Sequence, residues 1–107
     1  MPTVDRLIVR IIRVPFLVPR WAIAQVLLPN TIFVREDIEP TVTLIAHELV
    51  HVHQLKRYGL MRYWLRYLTL LISSGYEDHP MEVEARVGES DPVYRRLARR
   101  VLEEQHA

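Results

Sequence analysis

The sequence contains no cysteine among its 107 residues. This absence excludes disulfide bonds and thiolate metal ligands, and it leaves the redox compartment open. The strong metal ligands that remain are histidine, aspartate and glutamate. Any metal site in this chain must therefore be built from imidazole nitrogens and carboxylate oxygens.

The chain also lacks a long uncharged apolar run. The best candidate, Leu60 to Ser73, is interrupted by Arg62 and Arg66, whereas a helix that spans a bilayer needs about 18 consecutive apolar residues. Arginines likewise interrupt the apolar runs near the N-terminus, so no uncharged core precedes a cleavage site of the kind that export signals have. We therefore expect a soluble, cytoplasmic protein.

Charge of one sign is not in large excess. The formal net charge is +1 at pH 7, so no overall field favours nucleic acid as a partner. Hydrophobic residues make up 50% of the chain and charged residues 25%, which is typical of a folded globular protein. At this length we expect a single domain, residues 1–107, with one modest core.

The most informative stretch is the pentapeptide His47-Glu48-Leu49-Val50-His51, which has the H-E-x-x-H pattern. Residues four apart lie one turn apart on the same face of a helix, so the two histidines can present ring nitrogens to one point. Glu48 is rotated by about 100° from His47 and can reach a water bound there without being a ligand itself. The pattern predicts a zinc site on a helix. The alternative is an amphipathic core helix with two partly exposed histidines.

Hydrophobic spacing and turn residues predict a mostly helical α+β fold. An N-terminal helix comes first, and its apolar stripe consists of Val4, Leu7, Ile8, Ile11 and Ile12. A short β-hairpin follows, with a turn at Pro29-Asn30 between strands at Trp21–Leu28 and Thr31–Val34. The rest is a helical core, with helices at Thr41–Tyr58, at Leu60–Ser74, from Pro80 through Arg86, and from Pro92 onwards.

Helix lengths indicate where a third ligand can come from. If the helix after Gly59 folds back antiparallel along the H-E-x-x-H helix, its rise of ~1.5 Å per residue returns the chain to the start of that helix. A third helix that descends from Pro80 then brings Glu82 and Glu84 beside the two histidines. Either carboxylate can complete the site. His79 is the alternative ligand if the loop before this helix closes the site.

For the other polar residues on the H-E-x-x-H helix, the sequence gives less specific predictions. His53 lies about 240° round the helix from His47, so we expect it to be packed or exposed and not a ligand. Gln54 and Tyr58 share the histidine face, where they either line a cleft or pack between helices. The hairpin either offers an open edge to an extended peptide beside the metal or merely covers the core.

An H-E-x-x-H helix followed downstream by a helical glutamate resembles the gluzincin group of zinc metallopeptidases. Residues 31–88 carry the resemblance, which extends to small uncharacterised bacterial proteins of that kind. It implies a zincin-like domain, Zn²⁺ as the cofactor and a peptide or protein as the substrate. In gluzincins a small residue usually stands three positions after the ligand glutamate, so Ala85 favours Glu82 over Glu84.

One position departs from thermolysin-like members, because Arg86 stands where they place an acid that holds a histidine. That partner must then lie elsewhere, at Glu84 or a backbone carbonyl.

Such a site predicts a peptidase mechanism. Zinc lowers the pKa of its bound water towards neutrality and polarises the scissile carbonyl, which the water then attacks. Glu48 takes the water proton as general base and later delivers it to the leaving amine. The oxyanion needs a further donor, and the candidates are Tyr76, His79 and Arg86.

Two other functions fit the same residues. The first is an inactive relative of the zincins that binds metal and serves as a regulatory or interaction module. In the second the H-E-x-x-H pattern is accidental, and the chain binds a membrane surface through the basic side of its N-terminal helix, at Arg6, Arg10 and Arg13.

Overall fold

The computed structural model describes residues 9–14 and 24–105. Three strands come first in this part of the chain: β1 (Arg10–Val14), β2 (Ala24–Leu28) and β3 (Thr31–Arg35). Four helices follow: α1 (Val42–Tyr58), α2 (Leu60–Ser74), α3 (Pro80–Gly88) and α4 (Pro92–Gln105). The predicted mostly helical α+β fold is confirmed.

The three strands form one mixed sheet with β3 in the middle. Strands β2 and β3 pair antiparallel around the two-residue turn Pro29-Asn30, where Asn30 has a φ of 55°. Asparagine tolerates this left-handed conformation better than most residues. The predicted hairpin is therefore confirmed, while positions 21–23 of its predicted first strand lie outside the described residues.

The predicted N-terminal helix is wrong where the structure describes it. Residues 10–14 form β1, which runs parallel to β3 with Ile11 opposite Ile32. The apolar spacing fits a helix, but the apolar side chains of β1 are β-branched and favour a strand. The deciding partner is β3, which lies farther along the chain and is invisible to a local pattern. The remaining residues of the predicted stripe, Val4, Leu7 and Ile8, lie outside the described part.

The first two helices have the ends that their sequence predicts. The side-chain hydroxyl of Thr41 accepts a hydrogen bond from the N–H of Leu44 at 3.1 Å and so caps α1. Gly59 ends α1 with a φ of 83°, and Gly75 ends α2 with a φ of 75°. Glycine adopts this backbone region at little cost, whereas other residues are strained there. The predicted boundaries of α1 and α2 are confirmed to within one residue.

Helix α1 is the central element, because it contacts the hairpin strands and each of the other helices. Its apolar side chains are buried on several sides: Ile45, Ala46, Leu49, Val50, Val52 and Leu55. Three polar side chains of α1, those of Glu48, His51 and Gln54, are buried with them. The H-E-x-x-H segment therefore lies on a helix whose position is fixed by packing.

Helix α3 lies close to α1 at Gly88. A Cβ atom added to Gly88 would lie 2.3 Å from Cγ2 of Val50, which is itself buried. The two helices therefore pack with no room for a side chain at this position. Glycine is required here by close packing although it disfavours a helix.

We expect Gly88→Ala to destabilise the protein. Overpacking of a filled core costs about 1–3 kcal/mol, and the preference of alanine for a helix, ~1 kcal/mol, offsets only part of that cost. Unfolding in guanidinium chloride measures the difference. Val87→Ala, which changes an exposed neighbour on the same helix, is the matched control. Equal stability of Gly88→Ala and the wild type would show that α3 does not lie this close to α1.

Candidate metal centre

Three side chains from α1 and α3 meet at one point. His47 and His51 project from successive turns of α1, and Glu82 projects from the first turn of α3. Nε2 of each histidine lies 3.0 Å from Oε1 of Glu82. The three ligand atoms all lie within 4.8 Å of one another, so the cluster could hold a metal ion.

The spacing of the cluster fits a small divalent ion. Metal–ligand bonds of about 2.0–2.1 Å, with angles between right-angled and tetrahedral, put neighbouring ligand atoms about 2.8–3.4 Å apart. The two distances from imidazole nitrogen to carboxylate oxygen, both 3.0 Å, fall within this range. Three protein ligands would leave a further position for water or substrate, as catalytic zinc sites do.

Gln54 fixes the tautomer of neutral His51. The amide nitrogen of Gln54 donates to the carbonyl oxygen of Met81 at 3.1 Å and to Oε1 of Glu84 at 2.9 Å. The amide oxygen therefore faces His51, where it lies 2.8 Å from Nδ1. Because this oxygen can only accept, Nδ1 carries the proton and Nε2 keeps its lone pair towards Glu82. A metal ligand requires this arrangement.

Glu89 has the same effect on His47. Its Oε2 lies 2.7 Å from Nδ1 of His47 and accepts the proton of that nitrogen. The role of Glu89 is not predicted from the sequence, because the resemblance to gluzincins points to position 86 and to Glu84. One signal could have found it: Glu89 stands seven residues after Glu82, two helical turns farther along the same face. The segment that supplies the carboxylate of the cluster thus also orients one of its histidines.

Tyr67 of α2 orients Glu82. Its hydroxyl donates a hydrogen bond to Oε2, the carboxylate oxygen that does not face the histidines. Burial, and then this hydrogen bond, raise the pKa of Tyr67, so the hydroxyl stays protonated and remains a donor. Oε1 of Glu82 therefore remains available as a metal ligand. The role of Tyr67 as a donor to Glu82 is not predicted from the sequence, since the sequence alone does not show which side of α2 faces α3.

The charges of the cluster favour a cation at its centre. Burial alone would lower the pKa of His47, but the hydrogen bond to Glu82 and the charge of Glu48 outweigh it and raise that pKa to about 9. Burial alone would raise the pKa of Glu82, but the hydrogen bonds to His47 and His51 hold it well below its usual range. Protons and a metal ion therefore compete for the same nitrogen lone pairs.

Glu48 is buried beside the cluster without belonging to it. It is 5% exposed, and among the described residues its Oε2 has no hydrogen-bond partner. Burial raises the pKa of its carboxyl group, against the opposing charges of His51 and His47. A carboxylate with a spare lone pair beside an ion site has the position that a proton acceptor needs.

His79 has a structural role in place of the two roles considered for it. Its Nε2 donates to the carbonyl oxygen of Tyr67 at 2.8 Å, and its Nδ1 accepts from the N–H of Met81 at 3.2 Å, where it caps α3. Both ring nitrogens are engaged, so none is left to bind a metal or to donate to an oxyanion. The alternative ligand is thus part of the junction between α2 and α3.

Glu84, the other alternative ligand, is not a member of the cluster. Its Oε1 accepts a hydrogen bond from the amide nitrogen of Gln54, the residue that orients His51. His53 lies near the hydroxyl of Tyr94, at 2.9 Å from Nδ1, and is not a member of the cluster, as we predicted.

Arg86 and Tyr76, two candidate oxyanion donors, interact with each other. The guanidinium of Arg86 donates to the carbonyl oxygens of Glu77 at 2.7 Å and Tyr76 at 3.2 Å, and it lies 5.5 Å from the centre of the Tyr76 ring. Arg86 thus holds the turn between α2 and α3. Tyr76 is half-exposed, and burial followed by the charges of Glu82 and Glu48 raises the pKa of its hydroxyl.

Comparisons of the chain with models of protein families, with curated proteins and with solved structures find no match. The resemblance to gluzincins therefore rests on the residues of the chain and stays a prediction.

We expect Glu89→Ala to weaken the binding of a divalent metal ion at this cluster about 10–100-fold, the usual effect of removing the partner of a ligand histidine. Glu89→Gln should have a smaller effect, because the amide oxygen can still accept from Nδ1 without the negative charge. Competition with a chromophoric chelator measures the affinity. Glu103→Ala, on the exposed side of α4, is the matched control. Unchanged affinity in Glu89→Ala would show that His47 is oriented by another group.

Proposed function

We propose that the protein is a zinc-dependent metallopeptidase of the gluzincin type. His47, His51 and Glu82 are the zinc ligands, and Glu48 is the general base. One observation carries the proposal: two imidazole nitrogens and a carboxylate oxygen converge beside a buried carboxylate whose Oε2 has no partner in the described part of the chain.

The donor set supports zinc among the common metal ions. Calcium and magnesium prefer oxygen ligands, whereas imidazole favours zinc and its neighbours in the periodic table. Two histidines and one carboxylate also bind non-haem iron. The buried Glu48 favours zinc, because hydrolysis needs a proton acceptor next to the ion and the H-E-x-x-H spacing supplies one.

In this proposal the ion and Glu48 have separate chemical roles. Zinc in this position would lower the pKa of water and polarise a peptide carbonyl. Glu48 takes up the proton that the attacking water releases, and it returns that proton to the amine when the peptide bond breaks. Burial raises the pKa of the Glu48 carboxyl, which makes it a stronger proton acceptor.

Substrate contacts follow from the surroundings. Tyr76 is the oxyanion donor in this proposal, since its hydroxyl remains protonated and Arg86 holds its turn. Strand β2 lies at one edge of the described sheet and contacts α1. An extended peptide added to this edge would run past the helix that carries both histidines.

Elemental analysis joined to a peptidase assay tests the proposal. We expect about one zinc per wild-type chain, with loss of zinc in His51→Ala and Glu82→Ala because each removes a ligand. Glu48→Gln should keep the zinc and lower hydrolysis of a fluorogenic peptide library by about 10²–10⁴-fold, since the amide cannot accept a proton.

Two controls are matched to the ligands. His53→Gln removes a histidine of the same helix, and Glu84→Gln removes a carboxylate of the same segment; both should retain zinc. Undiminished hydrolysis in Glu48→Gln would exclude Glu48 as the base. Zinc in the wild type without any hydrolysis would favour a metal-binding regulatory module, and iron in place of zinc would contradict the proposal.

A further inference from the structure

Helix α2 has an exposed apolar face as well as the face that packs against the protein. Tyr63 is buried, and Tyr67 reaches Glu82. The opposite side of the helix carries a stripe of exposed side chains: Met61 at 86% exposure, Leu65 at 71%, Leu68 at 50% and Ile72 at 88%. Their spacing of four, three and four residues aligns them over about 16 Å. A continuous stripe of this kind, unlike a lone exposed leucine, marks an interaction surface.

The charged side chains of α2 itself are all positive. Between Glu48 and Glu77 the sequence contains no aspartate or glutamate. The same segment contains four basic residues, all exposed: Lys56, Arg57, Arg62 and Arg66. Two of them lie on α2 and two lie in the last turn of α1, just before α2 begins. The surface around the stripe therefore matches a negatively charged partner.

A groove adjoins the stripe and contains both arginines of α2. Its volume is about 340 Å³, and it is lined by Tyr58, Arg62, Leu65, Arg66, Thr69 and Leu70. The guanidinium of Arg66 lies 5.4 Å from the centre of the Tyr58 ring, which holds the charge at the groove. The groove thus combines two guanidinium groups with apolar walls, and Leu65 belongs to both groove and stripe.

We propose that α2 docks on the surface of an anionic lipid bilayer. The stripe enters the boundary between headgroups and acyl chains, and Arg62 and Arg66 bind headgroup phosphates. Helices that lie in this boundary have such a composition, with one apolar side and a basic flank. No described helix is long and apolar enough to cross a bilayer, so the docking is peripheral.

The docking surface and the metal centre lie on opposite sides of α2. Tyr67 faces inward to Glu82, whereas the stripe faces outward. A docked α2 therefore keeps its contact with the metal centre. The inference goes beyond the proposed peptidase activity and does not depend on it.

A second copy of the chain is a less favourable occupant. Packing two α2 helices stripe to stripe would bring arginines of both copies together, and α2 has no acidic side chain to pair with them. Lipid phosphates neutralise those arginines instead. Of the three N-terminal arginines considered for membrane binding, Arg6 lies outside the described residues, and Arg13 donates to the carbonyl oxygens of Glu36 at 2.8 Å and Ile38 at 2.5 Å.

Sedimentation of the full chain with lipid vesicles tests the proposal. We expect binding to vesicles of phosphatidylcholine with phosphatidylglycerol, and much weaker binding to phosphatidylcholine alone. The double variant Leu65→Ser/Ile72→Ser should lower the partition coefficient about tenfold or more, because it removes apolar area that the bilayer would bury. Arg62→Gln and Arg66→Gln should each lower it about fivefold.

Matched controls change similar residues elsewhere on the surface. Val87→Ser/Val93→Ser removes exposed apolar side chains from α3 and α4, and Arg99→Gln/Arg100→Gln removes exposed arginines from α4. Both should bind vesicles like the wild type. Zinc content and circular dichroism, which the α2 variants should leave unchanged, report on the fold and on the metal centre separately.

Three outcomes would overturn the inference. The first is no binding to anionic vesicles, or equal binding to neutral ones. The second is binding that the α2 variants do not weaken. The third is a dimer in sedimentation equilibrium that Leu65→Ser/Ile72→Ser dissociates, without vesicle binding, which would assign the stripe to a second copy of the chain.

Discussion

The close approach of two imidazole nitrogens to one carboxylate oxygen is the constraint on which the rest of the structure depends. Nε2 of His47 and Nε2 of His51 each lie 3.0 Å from Oε1 of Glu82, and the side chains of His51 and Glu82 are buried. Such a gathering of acceptors is unfavourable unless positive charge lies among them. Each member of the cluster is therefore held in place by a second residue, and the three second residues come from different parts of the helical core.

The residues that orient the three members of the cluster come from α1, α2 and the end of α3. Gln54 of α1 sets His51, Glu89 at the end of α3 sets His47, and Tyr67 of α2 sets Glu82. His79 joins α2 to α3, and Gly88 lets α3 lie against α1. The geometry of the cluster therefore depends on the packing of these helices, because a shift of α3 would move Glu82 away from the histidines and a shift of α2 would move Tyr67 away from Glu82.

Much of this arrangement follows from local sequence. The boundaries of α1 and α2 depend on a threonine cap and two glycines, and the spacing of His47 and His51 depends only on the helix period. Glu82 was found by adding helix lengths and by the position of Ala85. The features that the sequence does not predict depend on contacts between distant segments. The strand at residues 10–14 needs β3 as its partner, and the role of Glu89 needs the distance between two helices. The role of His79 depends on which of its ring nitrogens lies at a carbonyl oxygen. The role of Tyr67 depends on which side of α2 faces the interior.

X-ray absorption at the zinc edge tests the convergence of these three side chains most directly. For the zinc-loaded protein we predict a first shell of nitrogen and oxygen at about 2.0–2.1 Å, with outer-shell scattering from two imidazole rings that falls to one ring in His51→Ala. A shell of oxygens alone, or one with imidazole scattering that His51→Ala leaves unchanged, would contradict the account.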